Sequence, residues 1–141
     1  MTKEIRTSHV SKSDYINYLK KAEEFLSSAQ DSLVREKWNA AGLNAIHTGI
    51  SSADALLVSL HGIRSASPKH DDILKLLPSL VKHKGLEENI SQLRHLISMK
   101  KIVEYDQRLV TQNEAVSLSK HAERFLAWVK SILPKGQSHK S

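Results

Sequence analysis

Cysteine is missing from all 141 residues, which excludes a disulfide framework, thiolate zinc sites and thiol nucleophiles and is comfortable in a reducing compartment. No apolar run approaches the roughly 20 residues needed to span a bilayer. The polar opening MTKEIRTSHVSKSD holds no hydrophobic stretch of the signal-peptide kind, so a cytoplasmic protein without a membrane partner is expected. Aromatic residues make up only 5 % of the chain, and no segment sustains a two-residue alternation enriched in aromatic and β-branched residues, so no strand is expected. Glycine-rich phosphate loops, a serine elbow and a paired-carboxylate signature are also missing. The eight histidines show no HxxxH or HExxH spacing, and neither a metal nor a cofactor is expected.

What is present fits one ordinary domain, at 40 % hydrophobic and 26 % charged residues. The formal charge of +6 permits phosphate contacts. Part of it comes from the ends, through Lys3, Arg6, Lys12, Lys135 and Lys140, and elsewhere Lys and Arg interleave with Glu and Asp as on a solvated helix face. The expected organisation is a flexible segment over 1–12, a single helical domain over 13–134 and a flexible basic tail over 135–141.

Three- and four-residue spacing dominates the interior. From Ser13, a capping residue, Tyr15, Leu19, Ala22, Phe25 or Leu26, Ala29 and Leu33 mark one face of a first helix. A second, from about Trp38 to Leu60 and ending near Gly62, repeats Ala41, Ala45, Gly49, Ala53 and Leu56 or Leu57. Glycine inside a helix costs about 1 kcal/mol relative to alanine, so Gly42 and Gly49 predict that another helix approaches this backbone closely. Ser67 and Pro68, followed by Asp71 and Asp72, signal a third helix that Pro78 ends or kinks, with a short turn of helix on to His83. A fourth begins near Leu86, carries Ile90, Leu93 and Ile97, and runs into MKKIVEYDQR, Met99 to Arg108. The fifth opens on a capping box, Thr111 with Glu114, buries Ala115, Leu118, Ala122, Phe125 or Leu126, Val129 and Ile132, and stops at Pro134. The fold class is all-α, an up-and-down bundle of four or five helices.

The order YLKKAEEFLSSA, NAAGLNAIHTGISSADALL, GIRSASPKHDDILKLL, LRHLISMKKIVEYDQRLVTQNEA and AERFLAWV, from about Tyr15 to Leu133, resembles a HEPN domain (higher eukaryotes and prokaryotes nucleotide-binding). The resemblance implies a dimerising helical bundle, often encoded beside a small nucleotidyltransferase in toxin–antitoxin pairs and, in active members, cleaving RNA without metal. Active members place Arg, four to six residues and then His late in the bundle. Here Lys100 or Lys101 stands where the Arg is expected and Tyr105 where the His is expected. An ordinary tyrosine, with a pKa of about 10, is a poor acceptor of the 2′-hydroxyl proton where a histidine near about 6.5 serves, and lysine lacks the bidentate fork of arginine. The chain therefore resembles a divergent branch, and ribonuclease activity does not carry over with the family.

Lys100, Lys101, Glu104, Tyr105 and Arg108 are the candidate cleft residues, with no catalytic assignment. On a continuing helix Lys100 and Glu104 are four apart, as are Lys101 and Tyr105, which predicts an ion pair and a Lys–Tyr contact. These pairs either close the end of the bundle or a dimer seam, or they line a polar cleft for a phosphate, with Tyr105 donating a hydrogen bond or stacking. Arg64 and His70 repeat the family spacing in RSASPKH, away from the family's site, and read as a coincidence. His47 and His121 read as hydrogen-bonded helix residues, Asp54 as the partner of a cation from another helix, and Trp38 and Trp128 as packing or interface anchors. The function these features favour is a dimeric interaction module that binds a protein such as a nucleotidyltransferase, and RNA or a nucleotide; the alternative is a divergent metal-independent ribonuclease toxin.

Overall fold

A computed structural model describes residues 5–66 and 70–135, and of His70 the backbone only. Among these residues four long helices make the bundle: α1 (Tyr15–Val34), α2 (Trp38–His61), α4 (Leu86–Ser98) and α6 (Gln112–Ile132). Two short helices join them, α3 (Ile73–Leu80) and α5 (Lys100–Tyr105). The fold class is the all-α bundle that the periodicity predicts.

α2 lies at the centre, packed against α1, α4 and α6. Its small side chains explain why: Ala41, Ala45, Ala53 and Ala55 are fully buried, as are Ile46, Leu56, Leu57 and Val58, so the helix is buried around most of its circumference. A Cβ at Gly49 would lie 2.7 Å from Leu96 Cδ1 and 3.2 Å from Leu93 Cδ1, which places α4 directly against this backbone. The faces expected on α4 and α6 are the buried ones, with Leu93, Leu96, Leu118, Phe125 and Val129 at the centre of the core. Trp128 is an anchor of the packing kind: its indole donates to the Lys84 carbonyl at 2.9 Å and its ring lies 5.8 Å from that of Phe125. Trp38 packs at the far end of α6, against a small cluster of Ala41, Val110 and Ala115.

Three local features differ from the sequence reading. A short antiparallel ribbon joins β1 (Thr7–His9) to β2 (Ile63–Ser65), with Ser8 opposite Arg64, inside the segment expected to be flexible and in a chain expected to hold no strand. Three-residue strands are too short to leave a periodic signal. Helix α3 starts at Ile73, after a 3₁₀ turn over His70–Asp72, and continues through Pro78 to Leu80 rather than stopping there, while the stretch on to His83 is not helical; the Ser67 and Pro68 start signal lies outside the described residues, as do Lys3 and Lys140. The fourth helix does not run unbroken into the motif: Met99 donates its N–H to the Leu96 carbonyl at 3.2 Å, a tight last turn, and α5 begins afresh at Lys100.

The turn between α1 and α2 closes on Glu36, which adopts φ 58°, the left-handed conformation. At the start of α6 the capping box forms as expected, with the Glu114 N–H donating to Thr111 Oγ1 at 3.2 Å and the Thr111 N–H to Glu114 Oε1 at 3.0 Å.

Candidate functional site

Helix α5 presents its polar face to the middle of α2. One turn of helix carries Lys100 back over Glu104, and their Nζ and Oε1 atoms are 2.7 Å apart, the ion pair that four-residue spacing predicts. The second oxygen of Glu104 faces His47 of α2, 3.4 Å from Nε2. Burial pushes the Glu104 carboxyl up, but the Lys100 hydrogen bond and charge, with Tyr105 and His47, outweigh it and hold the group below the usual carboxylate range. The His47 ring in turn lies 5.4 Å from Phe25 of α1. A chain of contacts thus runs from α5 through α2 to α1.

The cation over the Tyr105 ring, 5.6 Å from its centre, is Lys100 and not Lys101. Lys101 points to solvent, because the break at Met99 starts a new helix and turns Lys100 inward. Tyr105 is 76 % exposed and Leu109, shortly after it, 71 % exposed. Arg108 is not part of this group. Its guanidinium grips Glu114 through two hydrogen bonds of 3.0 and 2.9 Å, completing the start of α6. That hydrogen bond, with the Thr111 backbone N–H, lowers the Glu114 carboxyl to about 2. Of the five residues singled out in the sequence, the fold brings Lys100, Glu104 and Tyr105 together, leaves Lys101 free beside them, and sends Arg108 to a neighbouring cap.

His47 is the member sequence reasoning missed as part of this group. Its only trace was its place on a helix of small residues, which lets other elements approach. The remaining singled-out groups lie elsewhere. Asp54 does pair with a cation, Arg64 at 3.2 Å, but the partner comes from β2 rather than from another helix. Burial raises the Asp54 carboxyl in spite of Arg64 and Lys21. Arg64 thus belongs with Asp54, and the side chain of His70 lies outside the described residues. His121 makes a short contact through Nδ1 with Gln92 Oε1, and its ring lies 4.3 Å from that of His95. Burial, His95 and Arg124 together push the His121 imidazole down. Among the described residues, no group of three or more His, Asp or Glu side chains converges as a metal site would require.

A central small-residue helix, flanked by long helices and followed late in the chain by a short polar one, defines an all-α bundle with its candidate site on the short helix. The family model of the HEPN domain matches residues 15–132, and the chain belongs to that family of helical modules with nucleotide- and RNA-related function. Among solved structures, the crystal structure of TT1696 from Thermus thermophilus is similar, with a TM-score of 0.70 and 21 % sequence identity, covering 84 % of this chain and 97 % of that one. That likeness is one of fold. No curated protein matches the sequence. No helix among the described residues is long and apolar enough to cross a membrane.

Proposed function

We propose that this chain acts in the cytoplasm as a dimeric HEPN interaction module, binding a protein partner of the nucleotidyltransferase kind and touching RNA or a nucleotide with the end of the bundle around Lys100, Lys101 and Tyr105. The reading is of a binding surface without the usual ribonuclease chemistry. The observation that carries it is the state of Lys100: this lysine, one of the two at the place expected for the family's arginine, is already neutralised by Glu104 at 2.7 Å, while Tyr105 stands where the histidine is expected. What is left open to a partner is an exposed aromatic ring, an exposed leucine at 109 and the free ammonium of Lys101. Such a surface suits stacking and docking better than proton transfer.

The test pairs sedimentation of the purified protein with fluorescence anisotropy on a labelled single-stranded RNA. A dimer whose RNA affinity drops in Lys101→Ala and Tyr105→Ala, at unchanged melting temperature, supports the reading; unchanged affinity with lowered stability overturns the binding role.

One observation favours the alternative, a divergent ribonuclease toxin. The imidazole of His47 reaches the Glu104 carboxylate from α2, supplying the imidazole that the late motif lacks. Under that reading RNA is cut in the presence of EDTA, and His47→Ala stops the cutting; intact RNA after incubation with the dimer removes it.

A further inference from the structure

A cleft of about 800 Å³ runs between α1 and α2, with Arg64 of β2 on its wall. That volume is within the range of small-molecule sites. Its lining is mixed: Tyr18, Phe25 and Ile50 supply an apolar and aromatic part, with the buried hydroxyl-bearing Ser51 beside them, and charged side chains supply the rest. At the base, the carboxylate of Asp54, only 8 % exposed, holds Arg64 Nη2 at 3.2 Å. The guanidinium carbon sits 4.9 Å from the centre of the Tyr18 ring. Arg64 is therefore fixed by an acid and an aromatic face before any ligand arrives, the preorganisation that recognition of a planar carboxylate exploits. Although Nε is buried without a hydrogen-bond partner, 41 % of the side chain remains exposed, so part of it stays open to the cleft.

The charges around the cleft narrow the ligand. Lys21 Nζ lies 6.0 Å from the same Tyr18 ring, so two cations converge there, and Lys20 is a third cation of the lining. Against Arg64, Lys20 and Lys21 stand Asp14, Glu24 and Asp54, three cations and three carboxylates, so the lining is formally neutral. A polyanionic strand needs cations that are not already balanced. Beyond the Arg64–Asp54 pair, lysines and carboxylates of the lining suit a small molecule with one charge of each sign, and Tyr18, Phe25 and Ile50 suit an apolar body.

We propose that this cleft binds a small zwitterion of the apolar amino-acid class, its carboxylate on Arg64 and Lys21, its ammonium toward Glu24, and its side chain against Tyr18, Phe25 and Ile50. This is a site separate from the Lys100 to Tyr105 surface, and it does not depend on the function proposed for that surface.

The test maps amide NMR shifts of the full chain titrated with L-phenylalanine, 3-phenylpropionate, phenethylamine and AMP. Saturable L-phenylalanine binding is expected, with shifts clustered at Tyr18, Phe25, Ser51 and Arg64, and with each singly charged analogue weaker by about tenfold, the effect of losing one charged contact. Arg64→Lys keeps a charge for Asp54 and should weaken L-phenylalanine about tenfold, while Lys101→Ala leaves it unchanged. If Arg64→Lys does not fold, the analogue series on the unaltered chain decides. No saturable binding, shifts centred elsewhere, an analogue as tight as L-phenylalanine, or AMP as the tightest probe at these residues overturns the proposal.

Discussion

Nε2 of His47 stands 3.4 Å from one oxygen of Glu104 while Lys100 holds the other, so a single carboxylate ties α5 to the centre of the bundle. Its removal should be felt in stability as well as in binding. Glu104→Gln should cost about 1 kcal/mol at neutral pH, a modest figure because the groups are partly solvated. The pH dependence has a definite sign. Glu104 is held below its usual value of 4.5, so its contribution is fully present above that pH and is lost as pH falls through the lower folded value. Denaturant unfolding of the two proteins should therefore differ at pH 7 and converge as the pH falls below 4.5 and through the lower folded value; a gap that stays constant contradicts the assignment.

The same substitution should release Lys100 for a phosphate. Glu104→Gln is expected to tighten RNA binding several-fold in low salt, with a steeper salt dependence than the unaltered protein, read by anisotropy. A weaker complex would mean that Glu104, not the lysine, faces the ligand.

Two glycines of α2 predict opposite outcomes for the same change. At Gly42 an added Cβ meets Leu118 at 3.4 Å and Val103 at 3.7 Å, ordinary contact, so Gly42→Ala should gain up to about 1 kcal/mol from helix propensity. At Gly49 the Cβ meets Leu96 at 2.7 Å, and Leu96 is fully buried with little room to yield. Gly49→Ala should lose about 1 kcal/mol net, overpacking exceeding the propensity gain. Thermal melts of both variants, followed by circular dichroism, give the two signs.

Glu36 holds the left-handed conformation that glycine adopts without penalty. Glu36→Gly should raise stability by about 0.5–1 kcal/mol, a melting increase of about 2–5 °C. A lower melting temperature would show that the glutamate side chain contributes more than the backbone preference.

The α6 cap should behave as a unit. Thr111→Ala removes the acceptor for the Glu114 N–H and should cost about 1 kcal/mol. Glu114 titrates at about 2 against a usual 4.5, so its stabilisation is complete above pH 4.5 and fades as the pH falls toward 2. Glu114→Gln should lower the melting temperature at pH 7 and match the unaltered protein near pH 2.

How much of this was readable beforehand follows from the range of each interaction. The buried stripes of α4 and α6, the Thr111–Glu114 cap and the Lys100–Glu104 pair all rest on spacings within a helix, and the sequence displays such spacings directly. Contacts between elements left fainter traces. Asp54 stood out as an acid among small residues, yet its cation arrived from a three-residue strand that has no pattern of its own. Proximity in sequence groups Arg108 with the lysines, whereas Glu114 competes for it across the turn into α6. His47 joins Glu104 from a helix more than fifty residues away, a pairing that only packing brings about. The inward turn of Lys100 depends on the break at Met99, where neither proline nor glycine marks the end of α4.

The placement of the two tryptophans makes the bundle its own optical probe. Trp38 packs beside Val110, next to the α5 end, while Trp128 lies against Lys84 about sixteen residues further along α6, roughly 24 Å away at 1.5 Å per residue. With either indole replaced by phenylalanine, the emission of the other reports one end of the molecule alone. A ligand or partner at the α5 surface should then shift the Trp38 spectrum and leave that of Trp128 in place.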